Sequence, residues 1–183
     1  MAFANDVGIK SYLSEISRDS RCREITIDNL WLRLLEILFP SNQEFMHERE
    51  DYEDEKAQAN MSLVILRKQQ RCKAIVVENK KPYRSGTNAP PPAQWSPSIE
   101  NLTETMINVR EGQGELPFDL FGVACIGLYA RFFLLKNEKN ELEDFQGDDG
   151  VYNMSNDKGA QVIESKLLAM KVKIDQAQEG LSG

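Results

Sequence analysis

Ala74, Ile75, Val76 and Val77 form an unbroken apolar run, with RCK before it and ENKK after it. A strand with one wet face alternates apolar and polar residues. A continuous run predicts a strand covered on both faces, at the centre of a sheet. The preceding run, MSLVILR, is separated from it by the polar residues Lys68 to Gln70. Two β-rich runs joined by a short polar segment predict a hairpin. The chain has 183 residues, 41% of them hydrophobic. That is enough for one compact domain spanning residues 1–183.

The elements around this hairpin alternate in type. A short helix is expected between Ala4 and Arg23. A second follows, with Leu30, Trp31, Leu34, Leu35 and Leu38 as its apolar stripe, Asp28 as its N-cap and Pro40 as its stop. A strand is expected over Glu44 to Arg49. KPYRSGTNAPPPAQWSP predicts an exposed loop, and Ser98 to Arg110 a helix. LFGVACIGLYARFFLL predicts a second hairpin turning near Gly127. Lys136 to Asp157 is a polar, acidic stretch in which Asp148-Asp149-Gly150 predicts a turn. A last helix is expected over residues 158–178. Its apolar residues Val162, Ile163, Leu167, Met170 and Ile174 predict packing on the sheet, with self-association into a homodimer as the alternative. The order predicts an α/β sandwich with a mixed central sheet flanked by helices.

Charge and cysteine content narrow the partners and the compartment. With 22 basic and 29 acidic side chains the net charge is −7, so any nucleic-acid contact must be a local patch. Cys22, Cys72 and Cys125 are odd in number and lack metal-type spacing, which predicts a reducing, intracellular setting. No apolar run approaches the ~20 residues that span a bilayer, so no membrane partner is expected.

The chemistry concentrates where the central strand ends. Glu78 and Lys80 are two residues apart, so an extended backbone projects both to one face. A carboxylate binds divalent metals through oxygen, and a lysine beside it holds a water or steadies a developing charge. Lys80, Lys81 and Arg84 supply basic groups after the strand, with Tyr83 and Trp95 as stacking surfaces and Arg131 on the later hairpin.

The sequence of pieces LLEILFP, ANMSLVIL, AIVVENKKP, IENLTETMINVREG and LFGVACIGLYARFFLL resembles the PD-(D/E)xK nuclease superfamily in a divergent, fungal-type form, over residues 25–136. The resemblance implies a restriction-endonuclease-like fold and a Mg²⁺- or Mn²⁺-dependent nuclease acting on DNA or RNA. By the same resemblance, Glu78 is a metal-binding carboxylate, Lys80 the catalytic lysine and Glu36 the supplementary acid of the first helix. His47 corresponds to the histidine that joins the metal ligands in some members. Where the family has its first catalytic Asp, this chain has Asn60, which removes a negative charge from the metal site. A natural loss, an engineered exchange, and an acid supplied instead by Asp51, Asp54 or Glu55 are all open. Two other readings stand beside the nuclease: a degenerate nuclease fold kept as a binding or regulatory module, and an unrelated α/β protein in which Glu78 and Lys80 have no joint role.

Overall fold

A computed structural model of the chain describes residues 3, 5–18, 22–41, 45–49, 60–67, 70–82, 89–113, 119–137 and 139–179. Asp51, Asp54, Glu55, Tyr83 and Arg84, named above for metal or nucleic-acid contacts, lie outside the described residues. The element order is α1 (Val7–Arg18), α2 (Glu24–Leu38), β1 (Phe45–Arg49), β2 (Asn60–Arg67), β3 (Gln70–Lys80), α3 (Pro92–Gln113), β4 (Leu120–Ile126), β5 (Tyr129–Leu135), β6 (Leu142–Asp144), β7 (Tyr152–Asn153) and α4 (Asp157–Glu179). A short 3-10 turn, Phe145–Gly147, follows β6. The protein is an α/β structure with one mixed, open sheet.

The sheet runs β1-β2-β3-β4-β5-β6, and β7 pairs with β5. Among the described strands β3 and β4 are the parallel pair, while the other neighbours are antiparallel. As the sequence predicts, Ala74 to Val77 are fully buried at the middle of this sheet. Their alternation divides the protein into two cores. Ile75 and Val77, with Phe121, Val123 and Cys125 of β4, meet Trp31, Leu34 and Leu35 of α2 and Ile163, Leu167 and Met170 of α4. Val76, Leu120, Ala124 and Ile126 meet Trp95, Leu102 and Met106 of α3 on the other face. Each large apolar side chain buried this way contributes roughly 1.5–3 kcal/mol.

Three local readings are corrected. Asp28 is not an N-cap: α2 begins a turn earlier, with Arg23 at the cap, and Asp28 is a buried residue of its second turn. The exposed loop expected through Pro97 gives way to helix at Pro92, since proline lacks only an N–H that the first helical residue does not use. Pro97 therefore sits inside α3. The acidic stretch after β5 contains β6 and β7, each too short and polar to leave a periodic signal. The inward residues of α4 pack on the core, and what that helix leaves exposed is Leu168 and Val172. Among the described residues no helix is long and apolar enough to cross a membrane, and the three cysteines, all buried, form no disulfide.

Candidate functional site

Glu78 and Lys80 project from the last turn of β3's pleat toward α3, the face that also holds Val76. Glu78 is almost completely buried, an arrangement rare for a carboxylate without a partner. Lys80 Nζ lies 2.8 Å from Glu78 Oε1, and Asn101 Nδ2 of α3 donates to the same oxygen at 3.4 Å. Glu78 Oε2 is buried and has no hydrogen-bond partner among the described residues. One turn before Asn101 on α3, the buried Ser98 Oγ is unpartnered too, as is Trp95 Nε1 a turn before that. Buried polar atoms are normally satisfied, so this cluster has capacity for further ligands.

Asn60 stands directly opposite Glu78 in the β2–β3 register. Opposite positions of an antiparallel pair share a face, with Cβ atoms about 5 Å apart. The row continues across the sheet through Ala124 to Arg131. Thus Asn60, Glu78, Lys80 and Arg131 belong to one face of the sheet.

The remaining candidates disperse. Glu36 is exposed near the C-terminus of α2 and paired with Arg33 at 3.2 Å. It stands about 12 Å along the helix from Asp28 and about 18 Å from Glu24, the α2 acids whose charges reach Glu78. His47 pairs in register with Leu63, which pairs with Ile75, so it lies on the α2 face, opposite to Glu78. Burial holds the imidazole below its ordinary value, against hydrogen bonds to the backbone of Leu35 and Phe39 and the charge of Glu36. Trp95 is not a stacking surface: the early start of α3 turns it into the core against the sheet. Arg131 is bound to Asp144 at 3.0 Å and stacks on Phe133. Lys81 is exposed beside the strand end.

Sequence reasoning missed an acidic network behind the strand. Asn79 points the opposite way from its neighbours and donates from Nδ2 to Asp28 Oδ1 at 2.9 Å, fully buried. Arg49 of β1 binds Asp28 Oδ2 at 2.9 Å. Burial raises the Asp28 carboxyl above its ordinary value, partly offset by the Asn79 hydrogen bond and the Arg49 charge. Burial also raises Glu24, while the nearby Lys80 charge lowers it. Cys125 is pushed well up by burial, with the charges of Glu78 and Asp28 adding to the effect. Helix α2 therefore brings acids to the end of β3, but through Glu24 and Asp28 rather than Glu36. The signal available in the sequence was the phase of the α2 stripe extended one turn upstream.

A divalent cation of the Mg²⁺ class takes about six oxygen ligands. At the end of β3 the described residues supply one buried carboxylate oxygen without a hydrogen-bond partner, that of Glu78, and no group of three His, Cys, Asp or Glu side chains suited to hold a metal ion. The donor chemistry fits a hard cation in type and falls short in number of acids. Comparison with protein-family models, with curated proteins and with solved structures found no match.

Proposed function

We propose that this chain is a nuclease-like protein of restriction-endonuclease-like fold, acting on phosphodiester bonds of nucleic acid at a centre weakened by Asn60. The observation that carries the reading is the register that sets Asn60 opposite Glu78, with Lys80 Nζ 2.8 Å from Glu78 on the same face. Glu78 Oε2 and the residue at position 60 are the groups that would hold Mg²⁺ or Mn²⁺. Such an ion, when bound, supplies an activated water and charge stabilisation at phosphorus. Lys80 would steady the charge that develops beside Glu78, and Asn101 donates to the Glu78 carboxylate. Asn60 is neutral, so it attracts the cation far less than an aspartate does. Glu36 and His47 belong to this centre only by resemblance, and the α2 acids whose charges reach Glu78 are Glu24 and Asp28.

Titration calorimetry of Mn²⁺ into the native protein, Asn60→Asp and Glu78→Ala, with a nuclease assay alongside, tests the proposal. Asn60→Asp is expected to gain both metal binding and cleavage, and Glu78→Ala to have neither. A second reading, a degenerate fold that binds without cutting, is favoured by the Glu78–Lys80 ion pair, which occupies the groups a metal site would use. Absence of metal binding and cleavage in all three proteins would leave that reading and overturn the first.

A further inference from the structure

Helix α3 is fastened unequally along its length. In its second half Leu102 and Met106 are fully buried against Val76 and Gly122. Arg110 Nη1 donates to the Lys136 carbonyl at 2.8 Å. At the end of the helix Gln113 Oε1 accepts from the Lys73 backbone N–H, and Nε2 donates to the Lys73 carbonyl at 3.4 Å.

The first half, Pro92 to Asn101, buries only Trp95 and Ser98. Each of them buries a polar atom, Nε1 and Oγ, with no hydrogen-bond partner among the described residues. An unsatisfied buried donor is unfavourable, and contact with water relieves it. The hydrogen bond from Asn101 to Glu78 is long, at 3.4 Å. Pro97 lies within this half and has no N–H, so the helical rung to the Ala93 carbonyl is missing.

What this half covers follows from its course. Asn101 meets Glu78 and Gln113 meets Lys73, so α3 runs antiparallel to β3. At about 1.5 Å per helical residue and about 3.3 Å per strand residue, Ser98 lies roughly level with Lys80, and Trp95 lies beyond it. Glu78 Oε2 and Lys80 Nζ, on the strand beneath, are both shut off from solvent.

We propose that Pro92 to Asn101 is a lid, weakened at Pro97, that lifts off the end of β3 and opens Glu78 and Lys80 to a ligand while Leu102 to Gln113 stays docked. Opening hydrates Trp95 Nε1, Ser98 Oγ and Glu78 Oε2 together, which offsets the exposure of the Trp95 ring. The lid requires neither a metal nor cleavage, so it stands or falls apart from the nuclease reading.

Amide hydrogen exchange of the full chain, followed by NMR without urea and at low urea, tests it. The amides of Ser98 to Asn101 and the Trp95 indole N–H are expected to share one opening. They should exchange about a hundredfold faster than the amides of Met106 and Ile107, with little dependence on urea. The indole of Trp31, buried in the other core, should stay protected. Pro97→Ala restores the missing rung and should slow lid exchange about tenfold. Ser98→Ala removes an unpartnered hydroxyl and should slow it on the same scale. Ser96→Ala, the same change at an exposed position, should alter it about twofold at most. Exchange of the lid in step with Met106 and Ile107 overturns the proposal. So does a loss graded inward from Pro92 with no common opening, which is end fraying, or unchanged exchange in both Pro97→Ala and Ser98→Ala. Both of those substitutions favour the folded helix, so the test does not turn on a variant that fails to fold.

Discussion

Lys166 Nζ and Asp148 Oδ2 stand 2.8 Å apart, the lysine almost wholly buried and the aspartate half open to solvent. The ammonium is enclosed by Phe132, Phe145 and Tyr152, with ring centres 5.6 to 6.0 Å away. A buried lysine on α4 is thus satisfied by aromatic faces, one carboxylate from the connection between β6 and β7, and the Phe145 carbonyl, to which Nζ donates at 3.4 Å. Asp148 also accepts from the Gly150 backbone at 3.0 Å and from the Tyr152 hydroxyl.

This arrangement makes the fold sensitive to acid. The hydrogen bonds from Lys166 and Tyr152 hold the Asp148 carboxyl down from 3.8 to about 2. A carboxylate depressed in the folded state contributes stability above its unfolded value and loses it as pH falls through the folded one. Stability should therefore fall between pH values near 4 and near 2, measured by urea unfolding at a series of pH values. Asp148→Asn should flatten that part of the profile, and an unchanged profile would refute the linkage.

Lys80 and Glu78 predict a coupled loss. Lys80→Met leaves a buried carboxylate without its cation and should destabilise by about 3 kcal/mol. Adding Glu78→Gln to that variant should recover most of the loss. Chemical denaturation of the two single variants and the double variant measures the coupling, and simple additivity would contradict it.

Asp28 has the opposite pH sense from Asp148. Its folded value is raised by burial, so its contribution favours folding at low pH and is lost as pH rises through that value. Asp28→Ala should still cost about 3 kcal/mol at neutral pH, because Asn79 Nδ2 and Arg49 lose a partner in a buried place. Thermal unfolding of Asp28→Ala against Asp28→Asn checks this, the asparagine being expected to cost less.

Gly127 connects the second hairpin to the candidate site. Its φ is +59°, and its N–H donates to the Lys80 carbonyl at 3.0 Å. A Cβ there would stand 3.0 Å from Pro82 Cα. Gly127→Ala should destabilise by about 1–2 kcal/mol from the left-handed backbone alone. Displacement of Pro82 should also perturb the NMR resonances of Lys80 and Lys81, which an effect confined to the turn would leave in place.

The sheet was legible where side chains are β-branched and apolar, as in Ala74 to Val77, because a centre-strand environment tolerates little else. The start of α3 was hidden by three prolines that read as loop although the last of them suits a helix's first residue. Glu78 and Lys80 were legible as a pair by spacing alone. Asp28 was not, since an aspartate near a helix start looks like a cap whether or not a partner such as Asn79 waits across the core. The β2–β3 ladder slips between Leu63 and Val64 and leaves Ala74 as an extra residue, and this bulge left no mark either: it depends on Gln113, 40 residues from Lys73, to hold the Lys73 backbone.

The single parallel pairing among the described strands, β3 with β4, divides the sheet into two antiparallel halves whose partners are near in sequence. Hairpins close in about 1–10 μs, whereas a crossover must first bring distant segments together. β3 and β4 are joined through α3, so neither half can bury its inner edge until that helix has docked on Val76 and Gly122. Joining the two halves of the sheet is therefore expected to turn on one helix, so substitutions at Leu102 and Met106 should slow refolding and those at the outer strands should chiefly hasten unfolding, as stopped-flow refolding of each variant would show.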